Sequence, residues 1–179
     1  MKPILVLGLG NLLQCDDGVG CRVAQELEQI VIASREAAKQ SPNPNSEIAS
    51  SQNPLLAMTK PYDNVEVIDG GTPGVGLLNL FEGCTRVIII DAAEMGIAPG
   101  EFKRFGTEEV LLTGSAKRIS LHRTGIADAL ALAHELKMKL PEIVFFGVQP
   151  ALIDWKDGLS PQVQAAMPRV IEAVLNELK

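Results

Sequence analysis

The sequence has 179 residues, and 46% of them are hydrophobic, which is enough to bury the core of one domain. Sixteen Lys and Arg residues against 22 Asp and Glu residues give a net charge of −6. No Lys/Arg-rich run is present to neutralise phosphates, so we expect no nucleic-acid partner. Nowhere do about 18 uncharged apolar residues follow one another, so we expect no membrane-spanning segment.

The three cysteines, Cys15, Cys21 and Cys84, form no C-x-x-C pair and leave an odd one over. This number and spacing fit a reducing compartment better than a disulfide framework. The apolar run from Ile4 to Leu9 is too short for the hydrophobic part of a signal peptide, and no cleavage site follows it. We therefore expect a cytoplasmic protein, acting as a monomer.

The apolar pattern predicts strands that alternate with helices. Ile4 to Leu7 form a continuous apolar strand that ends in a glycine turn, and a helix with apolar residues at helical spacing follows from Val19 to Ile30. Further strands are predicted at 65–68, 86–90, 101–105 (an edge strand) and 142–146, and further helices at 76–81, 126–138 and from the N-cap Ser160 to Leu178. This order indicates an α/β fold, a three-layer sandwich with a largely parallel, twisted sheet of about five strands and helices on both faces.

A segment of different composition separates the first helix from the second strand. From about residue 33 to residue 62 the chain is rich in Ser, Asn, Pro, Gln, Ala and Lys. Such a stretch has too little apolar surface to offset the entropy cost of ordering it. We predict a flexible insertion, helical at most at its start, within a single domain that spans residues 1–179. A spacer without catalytic importance is its simplest interpretation, because insertions into loops cost little free energy.

Acidic residues stand at the ends of the predicted strands. Asp16 and Asp17 follow the first strand, Asp69 the second and Asp91 the third, while His122 lies in a loop before a helix. Ligands of open α/β sheets bind at the carboxyl ends of the strands, so these side chains are expected at one edge. Four carboxylates there repel one another unless a cation or protons intervene. Two carboxylates and an imidazole suit zinc, nickel or another first-row divalent ion and leave positions open for substrate or water.

Each of these residues also has a structural interpretation, and spacing alone does not select the ligands because no H-E-x-x-H or similar motif is present. Asp17 could cap the first helix, and Asp69 could organise its Asp-Gly-Gly-Thr turn through an Asx-type hydrogen bond. His122 could form a hydrogen bond at the start of a helix. Asp91 has the stronger functional interpretation, since an exposed carboxylate at a strand end contributes little to packing. His134, inside a helix, is expected to be a surface or packing histidine.

Other enzyme classes fit the sequence less well. A dinucleotide-binding turn beginning at Gly8 and Gly10 would need a third glycine where Leu13 stands, and the two following aspartates would repel a pyrophosphate. Gly-x-Ser-x-Gly and the Walker phosphate loop are both absent. A thiol nucleophile formed by Cys15 with His122 is disfavoured, because neighbouring aspartates raise the pKa of a thiol.

Six motifs, taken in order, resemble those of the nickel-iron hydrogenase maturation proteases. They are Leu7–Leu13 with Asp16–Gly20, Asp69–Gly74, Ile90–Ala92, Ser120–His122 before Gly125–Asp128, Phe146–Pro150 and Leu159–Pro161. Each motif by itself is weak evidence for the family, but the six motifs in this order are specific to it. The resemblance covers essentially the whole chain apart from the insertion.

The resemblance implies an endopeptidase that removes a short C-terminal extension from the large-subunit precursor of a nickel-iron hydrogenase after nickel insertion. It aligns the three metal-contacting residues of the family, which are also the candidate catalytic residues, with Asp17, Asp91 and His122. The first of these positions is Glu or Asp in the family, and the shorter Asp found here is expected to shift the metal slightly toward its loop. The nickel is expected to come with the precursor rather than to be resident.

Two alternatives remain open from the sequence. One is a resident-metal hydrolase that acts on another substrate. The other is a non-catalytic, nickel-sensing chaperone of the same precursor. For the protease, a polarised carbonyl or a metal-activated water could carry out the hydrolysis once the precursor is positioned.

Overall fold

The structure is a computed structural model that describes residues 3–40, 62–111 and 125–179. Its strands in chain order are β1 (Ile4–Leu9), β2 (Val65–Gly71), β3 (Arg86–Ala92), β4 (Phe102–Gly106) and β5 (Glu142–Val148). Its helices are α1 (Val19–Gln40), α2 (Leu77–Leu80), α3 (Thr107–Leu111), α4 (Ile126–Glu135) and α5 (Pro161–Glu177). Short 3-10 turns at Cys15–Gly18 and Gly74–Gly76 precede α1 and α2.

The five strands form one sheet in the order β2-β1-β3-β5-β4. β1 pairs in parallel with β2 and β3, β3 pairs in parallel with β5, and β4 runs antiparallel to β5 at the edge. The predicted α/β fold with a largely parallel sheet is therefore confirmed, including the edge position of the strand near residue 102. Within the three described ranges, no helix has the length and apolarity needed to cross a membrane.

Alternate residues of each strand enter two separate cores, one on each face of the sheet. On one face, Leu5, Leu7 and Ile89 pack with residues of α2, α3 and α4. On the other face, Val6 and Ile88 pack with residues of α1 and α5. Burial of both strand faces explains why the central strands read as continuous apolar runs rather than as alternating ones. The three predicted layers are thus present.

α1 is longer than the apolar spacing up to Ile30 indicated. It continues to Gln40, so residues 33–40 of the predicted insertion are helical, as was allowed for its start. Residues 41–61 lie outside the described residues, and their predicted flexibility stays a prediction.

α4 is shorter than predicted. It ends at Glu135 rather than at Met138, with Leu136 as its C-cap. The next residue, Lys137, takes a positive φ of 52°, which a continuing α-helix does not contain. The apolar residues Leu136 and Met138, which prolonged the helical pattern in the sequence, are exposed.

The first turn of α1 lies directly on the backbone of the sheet because glycines remove the side chains between them. A β-carbon on Gly20 would lie 2.1 Å from the carbonyl oxygen of Ile90 and 2.4 Å from that of Leu9. A β-carbon on Gly8 would lie 2.1 Å from the carbonyl oxygen of Gly20. Gly8 in β1 and Gly20 in α1 therefore allow a close approach of helix and strand.

We predict that Gly20→Ala destabilises the protein, even though alanine is the better helix former. The added methyl group meets two backbone carbonyls that cannot move aside, and overpacking of this kind costs about 1–3 kcal/mol. Urea unfolding of the variant and the parent protein measures the loss. Gly76→Ala is the matched control, because φ is −60° there and nothing lies within 4 Å of the added carbon. Equal stability of Gly20→Ala and the parent would contradict the close approach of Gly20 to the carbonyls of Ile90 and Leu9.

Glu177, at the end of α5, joins that helix to the sheet. Its carboxylate accepts hydrogen bonds from Arg104 Nε at 2.7 Å and Nη2 at 2.9 Å, and it forms an ion pair with Arg86. Glu177 and Arg86 are largely buried, whereas Arg104 is half exposed. The hydrogen bond from Arg104, together with the charges of Arg104 and Arg86, lowers the pKa of the Glu177 carboxyl. The folded protein thus favours the ionised form.

We predict that Glu177→Gln lowers the free energy of unfolding at pH 7 by about 1–3 kcal/mol, since charged hydrogen bonds to a largely buried arginine are lost. Because the pKa is lower in the folded than in the unfolded state, this stabilisation is complete above the ordinary carboxyl pKa of about 4.3. It disappears as the pH falls through the lower folded value. The difference in unfolding free energy between variant and parent, measured from about pH 7 downward, should therefore decrease once the pH falls below the ordinary carboxyl pKa. Glu172→Gln, exposed on the same helix, is the control.

Candidate active site

Asp17 lies in the 3-10 turn after β1, and it is only 3% exposed. Its carboxylate accepts a hydrogen bond from the backbone N–H of Asn11 at 3.0 Å, and its own N–H donates to the carbonyl of Gln14 at 3.2 Å. The carboxylate therefore contacts the glycine turn that precedes it. These contacts do not make Asp17 an N-cap of α1, which begins two residues later at Val19.

Asp91 lies near the carboxyl end of β3, in register with Gly147 of β5. We expected an exposed carboxylate, and this was wrong, since Asp91 is only 2% exposed. The reason is that the first turn of α1 packs on the carbonyl of Ile90 beside it. A carboxylate buried this deeply costs free energy unless donors or a cation compensate it.

Short contacts along the backbone place Asp17 and Asp91 at the same end of the central strands. A β-carbon on Gly10 would lie 1.7 Å from the carbonyl oxygen of Asp17, so the turn after β1 folds tightly onto that residue. Gly20 stands three residues after Asp17 in the sequence and packs on Ile90, the residue before Asp91. The two carboxylates are therefore fixed at the carboxyl edge of the central strands by rigid backbone, as the topology predicted.

Cys21, in the first turn of α1, was given no role from the sequence and lies among the acidic residues. Its thiol donates to the carbonyl of Gly10 at 3.3 Å and of Gly8 at 3.7 Å. Burial raises the pKa of this thiol to about 12, with further contributions from a hydrogen bond to Asp69 and from the charges of Asp69 and Asp91. The thiol thus stays protonated at neutral pH and offers no nucleophile. Its surroundings also indicate that Asp69 and Asp91 point toward the same region.

Asp16 is fully buried and forms a different set of contacts from its neighbour. Its carboxylate accepts hydrogen bonds from the N–H groups of Ala151 at 2.8 Å, Leu152 at 3.0 Å and Ser160 at 2.6 Å. The hydroxyl of Ser160 donates to it as well, at 2.8 Å. These donors stabilise the negative charge without a cation. Asp16 therefore holds the loop of Asp17 against the segment that leads into α5.

Asp69, near the carboxyl end of β2, organises its own turn, as its structural interpretation predicted. The carboxylate accepts from the N–H of Gly71 at 3.3 Å and from the side-chain amide of Gln25 at 2.8 Å. Of the four carboxylates expected at this edge, Asp16, Asp17 and Asp69 thus each accept hydrogen bonds from donors of the fold. Asp17 and Asp91 are the two that the resemblance aligns with metal-contacting residues.

Two polar residues near the site support loops at the same edge. Ser160 accepts from the N–H of Val163 at 3.4 Å, which confirms it as the N-cap of α5, while it also donates to Asp16. Gln149 is buried, and its side chain accepts from the N–H of Met95 at 2.7 Å and donates to Glu94 at 2.9 Å. In the sequence, Gln149 lies within the motif Phe146–Pro150 that contributes to the family resemblance, but it was given no role of its own.

His122, the predicted imidazole ligand, lies outside the described residues. Within residues 3–40, 62–111 and 125–179, no three His, Cys, Asp or Glu side chains are grouped so that they could hold a metal ion. The described chain resumes at Gly125, where a β-carbon would lie 3.1 Å from the Cα of Gly74, in the turn after β2. His134 is highly exposed, as predicted for a surface histidine.

A cavity elsewhere on the protein does not belong to this site. It lies between α1 and β2 and is lined by residues that include Arg35, Asp63 and Asn64. Asp63 and Asn64 precede β2, so the cavity is at the amino end of the sheet, opposite the acidic residues.

Comparison with known proteins identifies the family. The family model described as hydrogenase maturation protease (HycI) matches residues 52–177, a range that does not include the Asp17 loop. Pairwise similarity extends further. The hydrogenase expression/formation protein HupD of Thiocapsa roseopersicina is 32% identical, over 98% of this chain and 67% of that protein. HupD of Bradyrhizobium diazoefficiens is 34% identical, over 90% of this chain and 70% of that protein.

Solved structures agree with this assignment. The hydrogenase maturating endopeptidase HybD from E. coli superposes with a TM-score of 0.70 at 30% identity, covering 98% of this chain and 91% of that chain. HybD from Thermococcus kodakarensis, a [NiFe] hydrogenase maturation protease, gives a TM-score of 0.67 at 29% identity, covering 99% of both chains. The chain therefore belongs to the hydrogenase maturation protease family, and it is a peptide hydrolase of the α/β fold described above.

Proposed function

We propose that this protease removes the C-terminal extension of the large-subunit precursor of a nickel-iron hydrogenase, after nickel has been inserted, and that it recognises the nickel through Asp17, Asp91 and His122. The observation that supports this best is the pair of buried carboxylates, Asp17 and Asp91, held at the carboxyl edge of the sheet by the first turn of α1. Their position in a chain of this family favours a metal-recognising role over a purely structural one.

The chemistry of the donors suits nickel. Two carboxylate oxygens and an imidazole nitrogen form a borderline ligand set that first-row divalent ions accept. Asp16 is left out of the set because both of its oxygens accept several hydrogen bonds, and Asp69 is left out because it organises its own turn. His122 completes the set in this proposal. Its position in the sequence, three residues before Gly125, is compatible with this role because Gly125 packs on the turn after β2.

The nickel is part of the substrate in this mechanism. The protease alone presents incomplete ligation, and a nickel-loaded precursor brings the ion that Asp17, Asp91 and His122 bind. Binding then orients the precursor so that its scissile bond lies near the site, where positioning lowers the barrier. The ion would polarise the scissile carbonyl or activate a water; attack of water on the carbonyl carbon would then break the C–N bond and release the extension as a free amine. A precursor without nickel lacks the contact that orients it and is not cleaved.

We further propose that the protein acts in the cytoplasm as a monomer. The three cysteines Cys15, Cys21 and Cys84 are free thiols, which fits a reducing compartment.

The direct test compares a nickel-loaded with a nickel-free precursor. Purified protein is incubated with each form, and the mass of the large subunit is followed by mass spectrometry. We expect loss of the C-terminal extension from the nickel-loaded form only. Equal cleavage of both forms would refute nickel recognition. Binding without any change in mass would indicate a chaperone, and tight retention of a metal by the protease alone would indicate a resident-metal hydrolase.

The site assignment predicts that Asp91→Ala and His122→Ala each reduce processing of the nickel-loaded precursor by about 100-fold or more, since misplacement of a bound group by 1 Å already costs about that much. Asp17→Asn is expected to act in the same direction. His134→Ala is the matched control, because that imidazole is exposed on α4. Circular dichroism and thermal unfolding check that the variants fold. Normal cleavage by the folded Asp91 and His122 variants would exclude this site.

A further inference from the structure

Three large apolar side chains are exposed beside the candidate site. Leu13 is 62% exposed, Leu152 is 43% exposed and Trp155 is 71% exposed. They come from the turn after β1 and from the segment before α5. We call these three residues the apolar rim. A single exposed apolar residue is common, but a group of them that includes a tryptophan marks an interaction surface.

Backbone hydrogen bonds join the parts of the apolar rim. The N–H of Lys156 donates to the carbonyl of Leu13 at 3.1 Å, and the N–H of Cys15 donates to the carbonyl of Lys156 at 2.8 Å. Gln14 and Lys156 thus form a parallel bridge, which places Leu13 and Trp155 at neighbouring positions. Leu13 and Trp155 therefore belong to one continuous surface.

The apolar rim is rigid and is continuous with the candidate site. The N–H of Asp16 donates to the carbonyl of Leu152 at 3.2 Å, and the Asp16 carboxylate accepts from the N–H of Leu152 in return. Leu152 is thus bound to the residue next to Asp17. Because the loops are already ordered, a partner that covers them has little loop entropy to remove on binding.

We propose that the apolar rim is the docking surface for the folded body of the hydrogenase large-subunit precursor, an inference that rests on the proposed function. A protein substrate that reaches Asp17 must cover the surface around it, because specific protein complexes bury about 800 Å² on each partner. Leu13 and Leu152 lie within that surface through the bonds described above. The polar residues Asp154, Lys156 and Asp157 flank the tryptophan in the sequence and are exposed, as expected at the periphery of an apolar interface.

The occupant is therefore an apolar surface of the precursor next to its metal centre. A second copy of this chain on the same residues would block access of the precursor to the candidate site, so that dimer could not cleave its substrate. Trp155 is the expected anchor, since tryptophans provide the largest binding contributions in such interfaces.

The first experiment measures processing kinetics with the nickel-loaded precursor. Trp155→Ala is expected to raise KM by about tenfold or more and to leave kcat within about twofold, because the rim binds the precursor without touching the reacting atoms. Trp155→Phe should restore most of the affinity. Leu136→Ala is the control. Leu136 is also 62% exposed, but it follows α4 and precedes β5, at the end of the sheet where the parallel strands begin. An unchanged KM in Trp155→Ala would overturn the proposal while leaving the protease function intact.

The second experiment observes the surface itself and does not require cleavage. Trp155 is the only tryptophan, so 5-fluorotryptophan labelling gives one fluorine resonance from the whole chain. Nickel-loaded precursor, added in stoichiometric amount at low temperature, should shift or broaden that resonance. No change at saturating precursor would overturn docking here, whether or not the wild-type protein cleaves. If raising the concentration of the protease alone caused the same shift, the occupant would be a second copy of the chain. That result would also overturn the proposal.

Discussion

The contact on which the site depends is the approach of the first turn of α1 to the backbone of β1 and β3. It is possible only because Gly8 and Gly20 lack side chains, so that carbonyls of the strands lie where β-carbons would otherwise be. A helix at the usual distance from a sheet would leave room for a bound group between helix and strand ends. Here that space is closed, and the helix instead fixes Asp17 and Asp91 as buried carboxylates at one edge.

Several carboxylates at one end of the sheet repel one another. The protein compensates the negative charges of Asp16 and Asp69 with different hydrogen-bond donors. Asp16 receives backbone N–H groups and a hydroxyl, and Asp69 receives a backbone N–H and a glutamine amide. Each of these solutions uses neutral donors supplied by the fold. Repulsion among the four carboxylates therefore does not by itself require a cation at Asp16 or Asp69. This division separates the acidic residues that support the loops from those proposed to recognise nickel.

The sequence predicted the fold well because its signals are local. The runs of apolar residues in β1, β3 and β5, the helical spacing in α1 and the N-cap Ser160 all act within a few residues of themselves. The arrangement of acidic residues at the carboxyl edge also followed, since parallel strands necessarily end together.

What the sequence did not predict depends on distant partners. The partners of Asp16 are more than 130 residues away in the chain, and nothing near Asp16 indicates them. Asp91 was expected to be exposed, because the helix turn that covers its neighbour Ile90 belongs to another part of the chain. The end of α4 was misplaced because Leu136 and Met138 continue an apolar pattern that the backbone does not follow.

The contacts of Asp16 also determine when the site can form during synthesis on the ribosome. β1 and the Asp17 loop are made first, but the donors of Asp16 at residues 151–160 are among the last parts of the chain to emerge. Among the described strands, β4 likewise pairs only with β5 and must wait for it. A nascent chain that has not yet reached residue 160 therefore lacks the donors that compensate Asp16. The loop of Asp17 is held against the segment before α5 only after that segment has folded onto the rest.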